Sequence, residues 1–340
     1  MLLVIFGAGA SYDSVAHFAT PPYSAPNIEE HRPPLANQLF DGRHTFIPSM
    51  QRFPDFKPLA TLLRFGGQVE RQLAVFEEQA KTFPERHRQL AAIRYYIHDV
   101  LWHCQHNWAT LHFGNTNYLS FIDAVERWRH EVDQQVCFVT FNYDTMIEKA
   151  FEERFGWTFA DFAAYTSQPS YKLIKLHGSI DWGLAIELPA KDAKDVIRSA
   201  GHGLVVTSHF RKVVLPGIVF EDRYVGYPAI AIPIEKKSDF SCPPEHLQTL
   251  AEVIPNVTKI ITIGWRATEQ HFLKMLHSRQ AGSPEDADLM VVSGGDKGVA
   301  ETTNNLAIGP PETRRKRVYW GNGFTELIKN IDQVDGFLRG

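Results

Sequence analysis

The stretch Val139-Thr140-Phe141-Asn142-Tyr143-Asp144-Thr145 and, about thirty residues later, Leu173-Ile174-Lys175-Leu176-His177-Gly178-Ser179 share one design. Each is an apolar run of strand length that ends in polar groups. Two such strands in one parallel sheet bring their carboxyl ends to the same edge, where open α/β folds bind ligands. Asn142 and His177 are the side chains these runs would deliver there.

The N-terminus adds a third strand end of the same kind. Met1-Leu2-Leu3-Val4-Ile5-Phe6 is continuously apolar and runs straight into Gly7-Ala8-Gly9-Ala10-Ser11, the order in which dinucleotide-binding folds place their first strand and phosphate turn. Small residues let backbone N–H groups approach a pyrophosphate, which a helix N-terminus also attracts through its partial positive charge. The fingerprint is incomplete. Tyr12 stands where the third glycine of G-x-G-x-x-G belongs, and no acidic residue ends an obvious second strand to hold a ribose. Alone, the turn reads either as a nucleotide site or as a plain tight turn.

Strand-like runs recur at about residues 2–6, 136–141, 172–176, 204–206, 213–215, 258–263, 288–292 and 317–320, several alternating with helical stretches. That rhythm predicts an α/β fold with a mainly parallel, Rossmann-like sheet. Asn142 and Asp144 fall where a strand gives way to a helix over 145–155, and Gly264 precedes a helix starting near Thr268. Residues 35–131 show helical periodicity and almost no strand signal, which predicts a helical insertion lobe within a single domain spanning 1–340. On its long helix Ala91, Tyr95, His98, Trp102 and Gln105 form one stripe, widened by Ile93, Tyr96, Ile97, Val100 and Leu101. Five prolines keep Thr20–Pro34 out of regular structure, and that segment reads as a flap over a cofactor or as a static surface loop. Residues 183–257 read as rich in loops.

A formal charge of −4 argues against a protein that grips nucleic-acid backbone. The basic run Arg314-Arg315-Lys316-Arg317 reads as a solvated strand entrance. No apolar run reaches the roughly 18–20 residues needed to cross a bilayer. Cys104, Cys137 and Cys242 are too few and too scattered for a disulfide framework or a four-cysteine zinc site, which fits a reducing cytoplasm. His103, Cys104, His106 and His112 lack a carboxylate or second cysteine at matching spacing, so they read as a polar and aromatic helix face, and no metal is expected.

The succession Gly7-Ala8-Gly9-Ala10-Ser11, Thr140-Phe141-Asn142-Tyr143-Asp144, Lys175-Leu176-His177-Gly178-Ser179 and Ile261-Thr262-Ile263-Gly264-Trp265 resembles the sirtuin-like domains of bacterial anti-phage defence proteins. The resemblance implies NAD as substrate and Asn142 and His177 as the catalytic pair. It implies an NAD+ glycohydrolase that yields nicotinamide with ADP-ribose or cyclic ADP-ribose. Its expected contacts to NAD are Gly7, Ala8, Gly9, Ala10, Ser11, Asp144, Gly264 and Trp265. It further implies a toxic effector that is held off until triggered. No sensor module accompanies these motifs, so the expected trigger is a protein partner, a helicase-type ATPase among them, or homo-oligomerisation.

The residue chemistry agrees. Expelling neutral nicotinamide leaves positive charge on the sugar, so the transition state is oxocarbenium-like, as in glycoside hydrolysis. The protein must chiefly orient the ribose, place a water and relay a proton. An amide at Asn142 accepts and donates hydrogen bonds together, and an imidazole at His177 serves as base near neutral pH. Ser11 is a candidate to bond a phosphate, Gly264 to admit the adenosine side and Trp265 to stack on a ring. Asp181 and Trp182 are placed at the pocket floor, and Asp13 on the first turn of a helix. Asn142 and Asp144 compete for the N-cap of the following helix. Two rivals stand: an NAD-dependent deacylase, although the cysteines of the sirtuin zinc module are missing, and a non-catalytic NAD or ADP-ribose sensor. The missing ribose acid leaves NAD against NADP open.

Overall fold

The computed structural model describes residues 1–14, 28–65, 69–111, 114–234, 240–277, 287–306 and 315–340. Most of the expected flap, residues 20–27, lies outside them, as do His112 and Arg314. Strand β1 (Leu2–Phe6) is fully shielded along its whole length, as a strand paired on both edges and covered on both faces must be. It pairs in parallel with β2 (Val136–Thr140), which pairs with β3 (Tyr171–Lys175). The antiparallel trio β4 (Gly178–Ile186), β5 (Val206–Lys212) and β6 (Tyr227–Ile230) follows in the order β5-β4-β6. Strands β7 (Lys259–Ile263), β8 (Asp288–Val292) and β9 (Arg317–Trp320) complete a six-stranded parallel sheet ordered β3-β2-β1-β7-β8-β9. This is the doubly wound Rossmann order, and the direction in which successive strands are added reverses between β1 and β7.

Helix α1 (Ala8–Tyr12) follows β1 directly. The insertion before β2 carries α2 (Ile47–Arg52), α3 (Lys57–Phe65), α4 (Val69–Ala80), the 28-residue α5 (Pro84–Leu111) and α6 (Asn117–Val132). Helix α7 (Met146–Phe155) joins β2 to β3, α8 (Ala193–Ala200) lies between β4 and β5, and α9 (Pro244–Val253) precedes β7. Helices α10 (Gln270–His277), α11 (Asp296–Asn305), α12 (Gly323–Lys329) and α13 (Asp332–Arg339) complete the second half.

Two hydrophobic cores result. One surrounds the parallel sheet. The other joins the insertion, through α4 and α5, to Ile180, Val196, Ile197 and Ile230 of the 178–230 region. The zone read as loops therefore holds a sheet. The strands expected at 204–206 and 213–215 are replaced by one strand, β5, which starts on the last residue of the first run and ends before the second, and whose residues are half-exposed or exposed and largely polar.

Candidate functional site

The parallel sheet ends flush. Phe6, Thr140 and Lys175 are paired across β1, β2 and β3, and Phe6, Ile263, Val292 and Trp320 across β1, β7, β8 and β9. The residues that follow all open on one edge, with the switch point at its centre. There the backbone of Gly7 and Gly9 lies directly on Gly264. Gly7 N–H donates to Ile263 O at 3.0 Å and Gly9 N–H to Gly264 O at 3.0 Å. A Cβ on Gly7 would stand 2.5 Å from Gly264 O, and one on Gly264, whose φ is +61°, 2.2 Å from Ala10 N. Close approach, not only ligand access, thus demands these glycines. Gly7, Ala10 and Ser11 are buried, whereas Ala8 is exposed and Gly9 half-buried, so a ligand at the turn would meet the latter two.

Asn142 follows β2 by two residues and is buried. Its Nδ2 lies 2.9 Å from Gly7 O, 2.9 Å from Ser11 Oγ and 3.1 Å from Tyr118 OH of α6. A backbone carbonyl can only accept, so the amide orientation is determined. Ser11 Oγ donates to Asp144 Oδ2 at 2.6 Å and lies 2.8 Å from Tyr118 OH. With Asn142 and Tyr118 donating to it, the Ser11 hydroxyl has no capacity left for a phosphate. Asp144 Oδ1 accepts from Met146 N at 3.1 Å, so Asp144 holds both Ser11 and the first turn of α7. Burial pushes the Tyr118 phenol well above its ordinary range and keeps it protonated. Asn142 Oδ1, in contrast, is buried with no hydrogen-bond partner among the described residues. Leaving such an acceptor unpaired costs about 1–3 kcal/mol, a debt that a donor on a ligand would remove.

His177 follows β3 by two residues and is also buried. Its ring lies edge-on to Phe141 at 4.9 Å, and the Phe141 ring stacks on Trp265 at 5.4 Å with planes 9° apart. Phe141 therefore links the two candidates, since it precedes Asn142 in sequence and touches His177 with its ring. Trp265 is buried and its indole N–H donates to Glu269 at 2.6 Å, so this ring forms a wall behind Phe141. Gly178, at φ +85°, is required because a Cβ would fall 1.8 Å from Ala229 O, where β4 begins against β6. Ile180 N then donates to Tyr143 O at 2.8 Å, tying β4 to the Asn142 loop.

Sequence reasoning missed Tyr118, Gln105 and Lys175 as parts of this constellation. Lys175 Nζ, fully buried, donates to Asp144 O and pairs with Glu148 Oε1 at 2.9 Å. Burial raises the Glu148 carboxyl above its ordinary value against the opposing pull of Lys175. The available signal was a strand with lysines at Lys172 and Lys175, of which only the terminal Lys175 is buried. Asp181 and Trp182 lie in β4, where Asp181 pairs with Lys212 and Trp182 is buried against Phe162, Tyr165 and His246. Asp13 is not in the first turn of α1 but at its C-cap, and its carboxylate accepts from Phe324 N at 2.6 Å and Thr325 N at 3.1 Å, capping α12. On α5, Cys104 is buried with its thiol pushed up to about 12, His103 lies 3.9 Å from Asp99, and His106 stacks on Trp102. Lys316 and Arg317 of the basic run donate to backbone carbonyls of Gly336 and Ala287.

Residues 136–308, just over half of the 340, match the SIR2-like domain family. The chain belongs to that family. A search of curated proteins found no match. Among solved structures, this SIR2-like chain aligns over 100% of its length with 93% of a mutant Sir2 homologue in complex with 2'-O-acetyl ADP-ribose, at 13% identity and a TM-score of 0.46. Sir2Tm bound to a propionylated peptide aligns over 99% of this chain and 94% of its own, at 13% identity and a TM-score of 0.41. A Sir2 complex with a peptide and NAD+ covers 99% and 93%, at 13% identity and 0.39.

Proposed function

We propose that this SIR2-like chain is an NAD+ glycohydrolase that cleaves the nicotinamide–ribose bond. The observation that carries the reading is Oδ1 of Asn142: an amide oriented by three partners on its nitrogen, with its buried oxygen lacking a partner among the described residues. A ribose hydroxyl or the incoming water is the donor that suits it. Held there, the sugar is oriented as the bond lengthens and positive charge spreads over the ring. His177 takes the proton from the attacking water, or from a hydroxyl of the same molecule if the product is cyclic ADP-ribose. The aromatic wall of Phe141 and Trp265 lowers the local dielectric, which strengthens both interactions. Ala8, Gly9 and Gly264 accommodate the dinucleotide at the turn, while Ser11 and Asp144 act by holding Asn142.

Consumption of NAD makes such a protein an anti-phage effector that is released by a partner protein, a helicase-type ATPase among the candidates, or by self-assembly. The motif succession supports that role. Chromatography of NAD incubated with the protein, with and without an acetyl-lysine peptide, tests the activity. Nicotinamide should appear without the peptide; release that requires the peptide would instead establish a deacylase.

A further inference from the structure

The loop that carries Asn142 is gripped from the helical insertion as well as from the sheet. Residues Phe141–Thr145 lie between β2 and α7, so their backbone groups must find partners outside a regular ladder. Gln105 of α5 is buried, and its amide meets Thr145 at two points. Oε1 accepts from Thr145 N at 2.6 Å, and Nε2 donates to Thr145 Oγ1 at 2.8 Å. Thr145 is the N-cap residue of α7, yet its side chain makes no capping bond. Two bonds from one amide fix rotation as well as position. Two turns earlier on α5, His98 Nε2 meets Ile180 O at 2.7 Å, and Ile180 N holds Tyr143 O. One helix thus reaches both residues flanking Asp144, directly and through β4.

We infer that Gln105 is a positioning residue for Asn142, so that the insertion is a working part of the site. The inference rests on the glycohydrolase reading for its kinetic consequence but not for its structural one. A neutral, volume-matched Gln105→Met removes both bonds without introducing charge. Its kcat for nicotinamide release should fall about 10–100-fold while KM for NAD moves less than about threefold, the signature of misplacement rather than lost binding. Hydrogen exchange at the Thr145 and Met146 amides should accelerate in the same variant. Thr145→Ser, which keeps both bonds, should retain kcat within about threefold. The control is Gln89→Leu, about 24 Å away along the same helix at 1.5 Å per residue, which should change neither readout. A folded Gln105→Met with unchanged kcat and protected loop amides would overturn the inference. Should that variant fail to fold, Thr145→Val decides, with a three- to tenfold loss expected on the scale of one hydrogen bond and wild-type kcat refuting it. If the wild-type protein releases no nicotinamide, whether held off or inactive, the loop amides alone decide the positioning role: faster exchange in Gln105→Met supports it and unchanged protection refutes it.

Discussion

Removal of Lys175 should cost far more than removal of Lys175 and Glu148 together. The lysine is fully buried and Glu148 nearly so, with 2.9 Å between Nζ and Oε1. At an effective dielectric of about 20, their gross attraction is about 6 kcal/mol, most of which is offset by taking both charges out of water. Lys175→Met strands a buried carboxylate whose Oε2 already lacks a partner among the described residues, leaving it only the Tyr165 hydroxyl at 3.1 Å. The expected loss is about 3–5 kcal/mol, the usual cost of breaking a buried pair from one side. Glu148→Leu alone should cost a similar amount. The double variant removes both charges and forfeits mainly the Lys175 bond to Asp144 O, worth about 1 kcal/mol. Urea unfolding of the four proteins should therefore give a coupling energy of about 5 kcal/mol or more with unchanged m-values. Additive single-variant losses would refute the buried pair.

Three further expectations follow from the same geometry. Burial pushes His98 down to about 4 and His246 down to about 3, whereas the unfolded chain binds those protons near about 6.5. Their contribution is therefore complete above that pH and is lost as pH falls toward the folded values, about 2 kcal/mol each between pH 7 and 5. His98→Gln should flatten the measured fall in stability by that amount, and an unchanged slope would refute a neutral buried His98. Gly264→Ala should destabilise by at least about 3 kcal/mol, from positive φ plus the clash with Ala10 N, as read by thermal unfolding. Ser11→Ala should cut nicotinamide release about tenfold with NAD binding intact, since the hydroxyl is occupied in holding Asn142; weakened binding with normal turnover would instead assign Ser11 to a phosphate.

The parallel sheet was legible because its central strands, buried on both faces, read as unbroken apolar runs. The runs at 2–6, 288–292 and 317–320 coincide with β1, β8 and β9, those at 136–141 and 258–263 differ from β2 and β7 by one residue at an end, and that at 172–176 is β3 shifted by one residue. The small sheet was not legible. Gly183 interrupts β4, Pro228 lies within β6, and the half-exposed β5 carries Thr207, Ser208, His209 and Arg211, so apolar content marks none of them. At the site, Asn142, His177, Gly7 and Gly264 could be placed because each follows a strand that ends on the same row. Tyr118 and Gln105 could not, because they reach the row from the insertion through contacts that no local pattern encodes. The Trp265 ring was expected to face a ligand, but a strand-end tryptophan beside an apolar helix finds protein rings first.

The central claim is that Asn142 and His177 together break the nicotinamide–ribose bond. The most direct test incubates the purified protein, Asn142→Ala and His177→Ala with NAD and follows nicotinamide and ADP-ribose by chromatography, with NAD binding measured in parallel. The account predicts release by the wild type that falls about 10²–10⁴-fold in each variant while binding persists. Release that survives in either folded variant would contradict it.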